Sequence, residues 1–246
     1  MSATPSASDL GIKIYADGAD LDGIREMAGN PLIRGFTTNP TLMRGAGVAD
    51  YKAFALDVLK IVTKLPVSFE VFADEFDEME AQALEIASWG DNVNVKIPVT
   101  NTRGDSAAPL VGRLSEKGIK VNVTAVFTLD QVEEIIAVRD PATAAILSVF
   151  AGRVADNGRD PIPHMKRCVE IAGAKPRAEI LWASPRELLN ILQADAAGCH
   201  IITVTNDVLK KLGSIGKDLG EFSLETVQMF YDDACAAGYT IPTGKS

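Results

Sequence analysis

Cysteine and histidine are scarce: the 246-residue chain has 3 Cys and 2 His. Cys168, Cys199 and Cys235 form an odd set without a C-x-x-C pair, which argues against a disulfide framework and a structural zinc site and favours a reducing compartment, the cytoplasm. His164 and His200 share no short metal-ligand spacing, so no metal is expected. Basic residues are also short. With 24 Lys+Arg against 33 Asp+Glu the net charge is −9, a field that repels a phosphate backbone, so no nucleic-acid partner is expected. No apolar run approaches the roughly 20 residues that cross a bilayer, which leaves no expectation of a membrane partner. The opening MSATPSASDL lacks the basic start and apolar centre of a secretory signal, and residues 1–11 read as a flexible leader. There is no low-complexity tract, linker or composition break, so residues 12–246 read as one domain.

What the chain does have is 47% hydrophobic residues in a regular order. Short β-branched runs occur at 12–17, 33–39, 67–72, 92–99, 121–127, 144–150, 178–184 and 200–205. Between them lie segments with apolar residues three and four apart, such as 50–65, 76–90, 105–118 and 160–174, which predict helices. Eight strand-helix alternations are the sequence form of an α/β fold, the closed (β/α)8 TIM barrel. A doubly wound open sheet is disfavoured because no G-x-G-x-x-G follows the first run. Beyond Asp207 the chain holds more helix than the last strand requires. That additional C-terminal helix pads the barrel or packs on a neighbouring subunit, and the Ser223–Gly238 segment is the candidate contact.

Alternate residues of a barrel strand face inward, and active sites gather at the strands' C-terminal ends. In the fourth run Val93, Val95, Ile97 and Val99 share one face and Asn94, Lys96 and Pro98 the other. A lysine therefore points into the barrel. The third run adds Glu70 to that interior. The fifth pairs Val121, Val123 and Ala125 against Asn122, Thr124 and Val126. Asp17 with Tyr15, Thr37 with Asn39, and Ser148 with Phe150 complete a set near strand ends. Buried charges carry a penalty of several kcal/mol each, so such a cluster is disfavoured without a use. An interior amine that gives up its proton attacks a carbonyl to form a Schiff base. The bland reading, a buried salt bridge from Lys96 to Asp17 or Glu70, stays open on periodicity alone.

The strings GFTTNPTL (35–42), VNVKIPVT (93–100), VNVTAVF (121–127), SVFAGRV (148–154) and LWASPRE (181–187), in this order, resemble the transaldolase family and its relatives the fructose-6-phosphate aldolases. The resemblance spans residues 12–240. It implies a (β/α)8 barrel, no cofactor, and a Schiff-base lysine on the fourth strand, where Lys96 stands. It implies that Asp17 takes the proton of the ketose C4 hydroxyl, and that Glu70 with Thr124 holds the water serving carbinolamine formation and dehydration. Asn39 and Asn122 then hold the dihydroxyacetone hydroxyls, with Thr37 and Ser148 lining the same cavity. Arg153, Ser184 and Arg186 match the phosphate-binding set, as a guanidinium can grip a dianion bidentately. The substrates expected are sugar phosphates.

The resemblance also bears on what accepts the three-carbon fragment. Transaldolases carry Glu at the position of Glu70 and Phe at that of Phe150, whereas fructose-6-phosphate aldolases carry Gln and Tyr. This chain has the transaldolase pair, so transfer from a ketose phosphate to an aldose phosphate, a pentose phosphate pathway reaction, is expected. Aldol cleavage releasing free dihydroxyacetone is the alternative. A non-catalytic sugar-phosphate-binding barrel is a third reading, disfavoured by the intact Lys96, Asp17, Glu70 and Thr124. Trp182 has the parity to face inward beside Ser184, where a smaller residue is expected, and ordinary core filling is its favoured role. Cys199 reads as buried and inert, and His200 as lying away from the catalytic mouth. Short members of the family form rings of five or ten subunits, so a homo-oligomer, pentamer or decamer, is expected.

Overall fold

Valine and isoleucine at alternate positions build eight short parallel strands. In the computed structural model, which describes residues 9–243, they are β1 Lys13–Asp17, β2 Ile33–Thr37, β3 Val67–Glu70, β4 Val93–Pro98, β5 Val121–Val126, β6 Ala145–Val149, β7 Ala178–Trp182 and β8 Ile201–Thr205. They close in chain order into one barrel, with β8 returning to β1. This is the expected (β/α)8 architecture. Residues 1–8 of the expected leader lie outside the described residues.

The helices are α1 Leu21–Ala28, α2 Pro40–Gly45, α3 Tyr51–Ile61, α4 Phe76–Ala87, α5 Ala108–Glu116, α6 Leu129–Val138, α7 Ala151–Asp156, α8 Pro161–Ala172, α9 Leu189–Ala196, α10 Asn206–Leu209 and α11 Leu219–Ala236. Side-chain oxygens of Asp20, Asn39, Asp50, Asp160 and Asp218 accept from orphan amides at their starts. Thr128 and Gln131 form a reciprocal capping box on α6. Helices α1 to α10 each bury residues against the outer face of the barrel, where Val93, Val95 and Ile97 join the main core, whereas α11 buries none. Tyr15, Ile146, Leu181, Ala183 and Ile201 form a separate, smaller core inside the barrel.

Two ladders are short. The β2–β3 pairing holds only Phe36 to Val67 and Thr37 to Ser68, and β7–β8 only Leu181 to Ile201 and Trp182 to Ile202. A side chain takes up free strand groups beside each. The Tyr51 hydroxyl accepts from the Glu70 amide at 2.7 Å and donates to its carbonyl at 2.9 Å. His200 Nδ1 accepts from the Ile180 amide at 3.0 Å.

The alternation breaks at two left-handed residues. Ala125 has φ +57° and sits in a bulge between β5 and β6, so it lines the cavity while Val126 joins the outer core, against the expected inward Val126. Ser184 has φ +62° just after β7. Parity therefore does not carry from Trp182 to Ser184: Trp182 is fully buried in the outer core with Ile180 and Ile202, which corrects its expected inward placement. The strands also end earlier than their sequence runs. Asn39 caps α2, Phe150 precedes α7, and Ser184 stands in a loop.

Candidate active site

The C-terminal ends of the strands open onto a cavity of about 440 Å³. On its floor, the β3–β4 register sets Glu70 beside Lys96. Lys96 Nζ lies 3.1 Å from Glu70 Oε2 and donates to the Thr38 carbonyl at 3.0 Å. Lys96 is 7% exposed. A buried ammonium needs such compensation, because desolvation alone costs several kcal/mol. Thr38 is itself fixed, its amide and hydroxyl donating to the Ser68 carbonyl.

Across the floor stands Asp17, at the end of β1. Burial pushes its carboxyl above the usual carboxylate range; the charge of Lys96 and hydrogen bonds from Thr37 and Asn39 oppose this, and Glu70 adds to it. Thr37 Oγ1 donates to Asp17 Oδ1 at 2.7 Å, and Asn39 Nδ2 to Oδ2 at 3.4 Å. A second hydroxyl, Thr203 Oγ1 on β8, lies 2.5 Å from Thr37 Oγ1.

Thr124, Ser148 and Phe150 form the wall. Asn122 lies beneath it, wholly buried and outside the cavity lining. Its Nδ2 donates to Ser68 Oγ at 3.0 Å, and its Oδ1 accepts from Ser148 at 2.7 Å. Asn122 therefore braces Ser148.

The rim carries the arginines. Arg153 lies over the Phe150 ring, its guanidinium carbon 5.7 Å from the centroid. Arg186 Nη1 donates to Ser184 Oγ at 3.0 Å, while its Nε reaches both carboxylate oxygens of Asp156. The Asp156 carboxyl is held below the usual range, chiefly by its hydrogen bond from Arg186. Gly152 makes the rim possible: a Cβ there would stand 1.5 Å from the Ser184 carbonyl oxygen. The left-handed Ser184 and the bare Gly152 thus fit each other.

The interior lysine, the facing carboxylates and the arginine rim surround one cavity, and comparison with known proteins then places the chain. Residues 14–240 match the family described as transaldolase/fructose-6-phosphate aldolase. The chain belongs to that family.

Two relatives are named probable transaldolase. One, from Streptococcus equi subsp. zooepidemicus (strain MGCS10565), is 35% identical over 204 residues, covering 82% of this chain and 90% of its own. The other, from Roseiflexus sp. (strain RS-1), is 37% identical over 201 residues, covering 81% and 88%. A crystal structure of a HpcH/Hpal aldolase/citrate lyase family protein from Burkholderia cenocepacia J2315 superposes with TM-score 0.58 at 15% identity, covering 88% of this chain and 95% of that one. At that identity the likeness concerns the fold alone.

Around this transaldolase-family cavity the structure adds residues that sequence reasoning missed. Thr203 had a readable signal, since it alternates with Ile202 and Val204 in β8. Thr38, Ser68 and Asp156 act through a carbonyl, a brace beneath the wall and an ion pair across two loops, and nothing local in sequence marks them. Cys168 and Cys199 are buried free thiols whose pKa burial pushes up to about 12, so both are inert at neutral pH. Among the described residues, no three His, Cys, Asp or Glu gather as a metal-ligand set, and no helix is long and apolar enough to cross a membrane.

Proposed function

We propose that the chain is a transaldolase that moves a dihydroxyacetone unit from a ketose phosphate, such as fructose 6-phosphate or sedoheptulose 7-phosphate, to an aldose phosphate, erythrose 4-phosphate or glyceraldehyde 3-phosphate. The observation that carries the reading is the 3.1 Å pair of Lys96 and Glu70 in a cavity whose wall is Phe150 rather than a tyrosine. Lys96 Nζ attacks C2 of the ketose, and loss of water gives the iminium. Glu70 and Thr124 hold the water that carries protons in these steps. Asp17 accepts the C4 hydroxyl proton, the C3–C4 bond breaks, and its electrons pass to the iminium nitrogen. The aldehyde leaves and the enamine remains on Lys96. An incoming aldose takes up the fragment by the reverse sequence, and water returns Lys96 to the free amine.

Asn39, Thr37, Asn122 and Ser148 are assigned to the dihydroxyacetone end, and Arg153, Ser184 and Arg186 to the phosphate end. Phe150 supports transfer over release. It brings no hydroxyl to protonate the waiting enamine, so the fragment stays bound until an aldose arrives. The reaction belongs to the pentose phosphate pathway in the cytoplasm, as an exchange of sugar phosphates without cofactor. The deciding assay is glyceraldehyde 3-phosphate release from fructose 6-phosphate with and without erythrose 4-phosphate. Sustained release only with the acceptor supports transfer, and equal release without it makes the chain a fructose-6-phosphate aldolase.

The same reading includes a homo-oligomer. Helix α11 has no buried residue, and Leu219, Leu224, Val227, Phe230 and Tyr231 are each more than half exposed. An apolar helix of that length calls for cover by another copy. Deleting residues from 219 onward without a change in sedimentation refutes that assignment.

A further inference from the structure

We propose that Thr203 is a positioning residue of the reaction: its hydroxyl donates to Thr37 and so commits the Thr37 proton to Asp17, holding that carboxylate aimed at the ketose C4 hydroxyl. The inference rests on the role proposed above for Asp17.

Proton counting carries it. An ionised carboxylate only accepts, and a threonine hydroxyl has one proton to give. Thr37 Oγ1 lies 2.7 Å from Asp17 Oδ1 and 2.5 Å from Thr203 Oγ1. While Asp17 is ionised, the Thr37 proton must go to it, so the second bond is filled by the Thr203 proton. The chain has one polarity. Its members come from β8 and β2, the two strands that flank β1, and both threonines are buried, Thr37 3% and Thr203 7% exposed. Burial makes each donor count, and hydrogen bonds in series strengthen one another.

When Asp17 takes the C4 proton as the C3–C4 bond breaks, it becomes a donor. That proton sits on the oxygen facing the ketose, and Oδ1 goes on accepting from Thr37, so the chain keeps its polarity with no side-chain movement. The same two hydroxyls thus serve both protonation states. The other charged groups facing Asp17 are Lys96, which attracts its charge, and Glu70, which opposes it. Asp20 and Asp207 line the adjoining cleft that Asp17 also borders. None of these is altered by a change at position 203.

Thr203→Val keeps the shape and removes the hydroxyl. The expected result is a kcat about tenfold lower and an acid limb of the kcat–pH profile moved up by about half a unit, since the ionised carboxylate has lost part of its support. Borohydride trapping of dihydroxyacetone on Lys96 stays at the wild-type level, and Thr203→Ser restores both kcat and the acid limb. A wild-type profile in Thr203→Val overturns the inference. So does a serine variant as impaired as valine, which marks packing, or a loss of trapping, which ties the hydroxyl to Schiff-base formation. Should valine not fold, Thr203→Cys, a weak donor of similar size, takes the same readings and is expected to show the same shift. Asp17→Asn separates the two levels. Retained cleavage there sinks the role of Asp17 itself, whereas an inactive Asp17→Asn beside an unshifted Thr203→Val sinks only the role of Thr203.

Discussion

Arg186 is gripped by Asp156, its Nε 3.0 Å from Oδ1 and 3.1 Å from Oδ2. The carboxylate aims the guanidinium and occupies one edge of it. Ser184 occupies Nη1. At the proposed phosphate end, a dianion would therefore meet an arginine already oriented, with Arg153 on the same rim. Arg186→Gln is expected to raise KM for the phosphorylated ketose by about 10- to 100-fold, the range for hydrogen bonds to charged groups. Steady-state kinetics with an unphosphorylated aldehyde as acceptor provides the control, because its acceptor KM should not move.

Lys96→Met removes the nucleophile and leaves an apolar chain of similar length. Turnover and borohydride trapping should both vanish while the circular dichroism spectrum stays native. Residual trapping in that variant would mean that another amine carries the fragment.

Phe150→Tyr places a hydroxyl on the cavity wall. It should raise acceptor-independent release of dihydroxyacetone relative to transfer, read as the ratio of glyceraldehyde 3-phosphate formed without and with erythrose 4-phosphate. An unchanged ratio counts against the ring as the determinant of transfer.

Asp17 carries a cost to the fold. Its carboxyl is raised above the usual range, mainly by burial. Such a group binds more protons folded than unfolded, so it lowers stability as pH climbs from the unfolded value through the folded one. Asp17→Asn should therefore be inactive yet more heat-resistant than wild type at pH 7, and the gain should shrink as pH falls towards the ordinary aspartate range. Thermal unfolding at a series of pH values checks the sign; a gain that grows at low pH would refute it.

Much of the fold was legible because a barrel repeats one signal. Each β-branched run and each amphipathic segment is local, and their number fixes the architecture. The interior set was legible for the same reason, since period-2 alternation put Asp17, Glu70, Lys96 and Thr124 inside. The signal fails where the backbone leaves the alternation. Left-handed Ala125 and Ser184 re-aim Val126 and uncouple Ser184 from Trp182, and a sequence pattern does not announce a positive φ at a non-glycine residue. The partners of the proposed catalytic groups were hidden for another reason. The Thr38 carbonyl carries no side-chain identity, and Asp156 meets Arg186 only because two barrel loops converge.

The two short ladders have a consequence for motion. They divide the barrel into two arcs: His200 links β7 to the start of β8 beyond one ladder, whereas Tyr51 fills the Glu70 backbone groups on the β3 side of the other. The longer arc, β3 to β7, bears Glu70, Lys96 and Thr124; the shorter, β8 to β2 through β1, bears Thr203, Asp17 and Thr37. Local opening favours boundaries held by few backbone bonds, so amide exchange should be fastest along these two lines. Lys96 and Asp17, the proposed carrier of the fragment and the proposed base, thus ride on different arcs that meet along two lines of few backbone bonds.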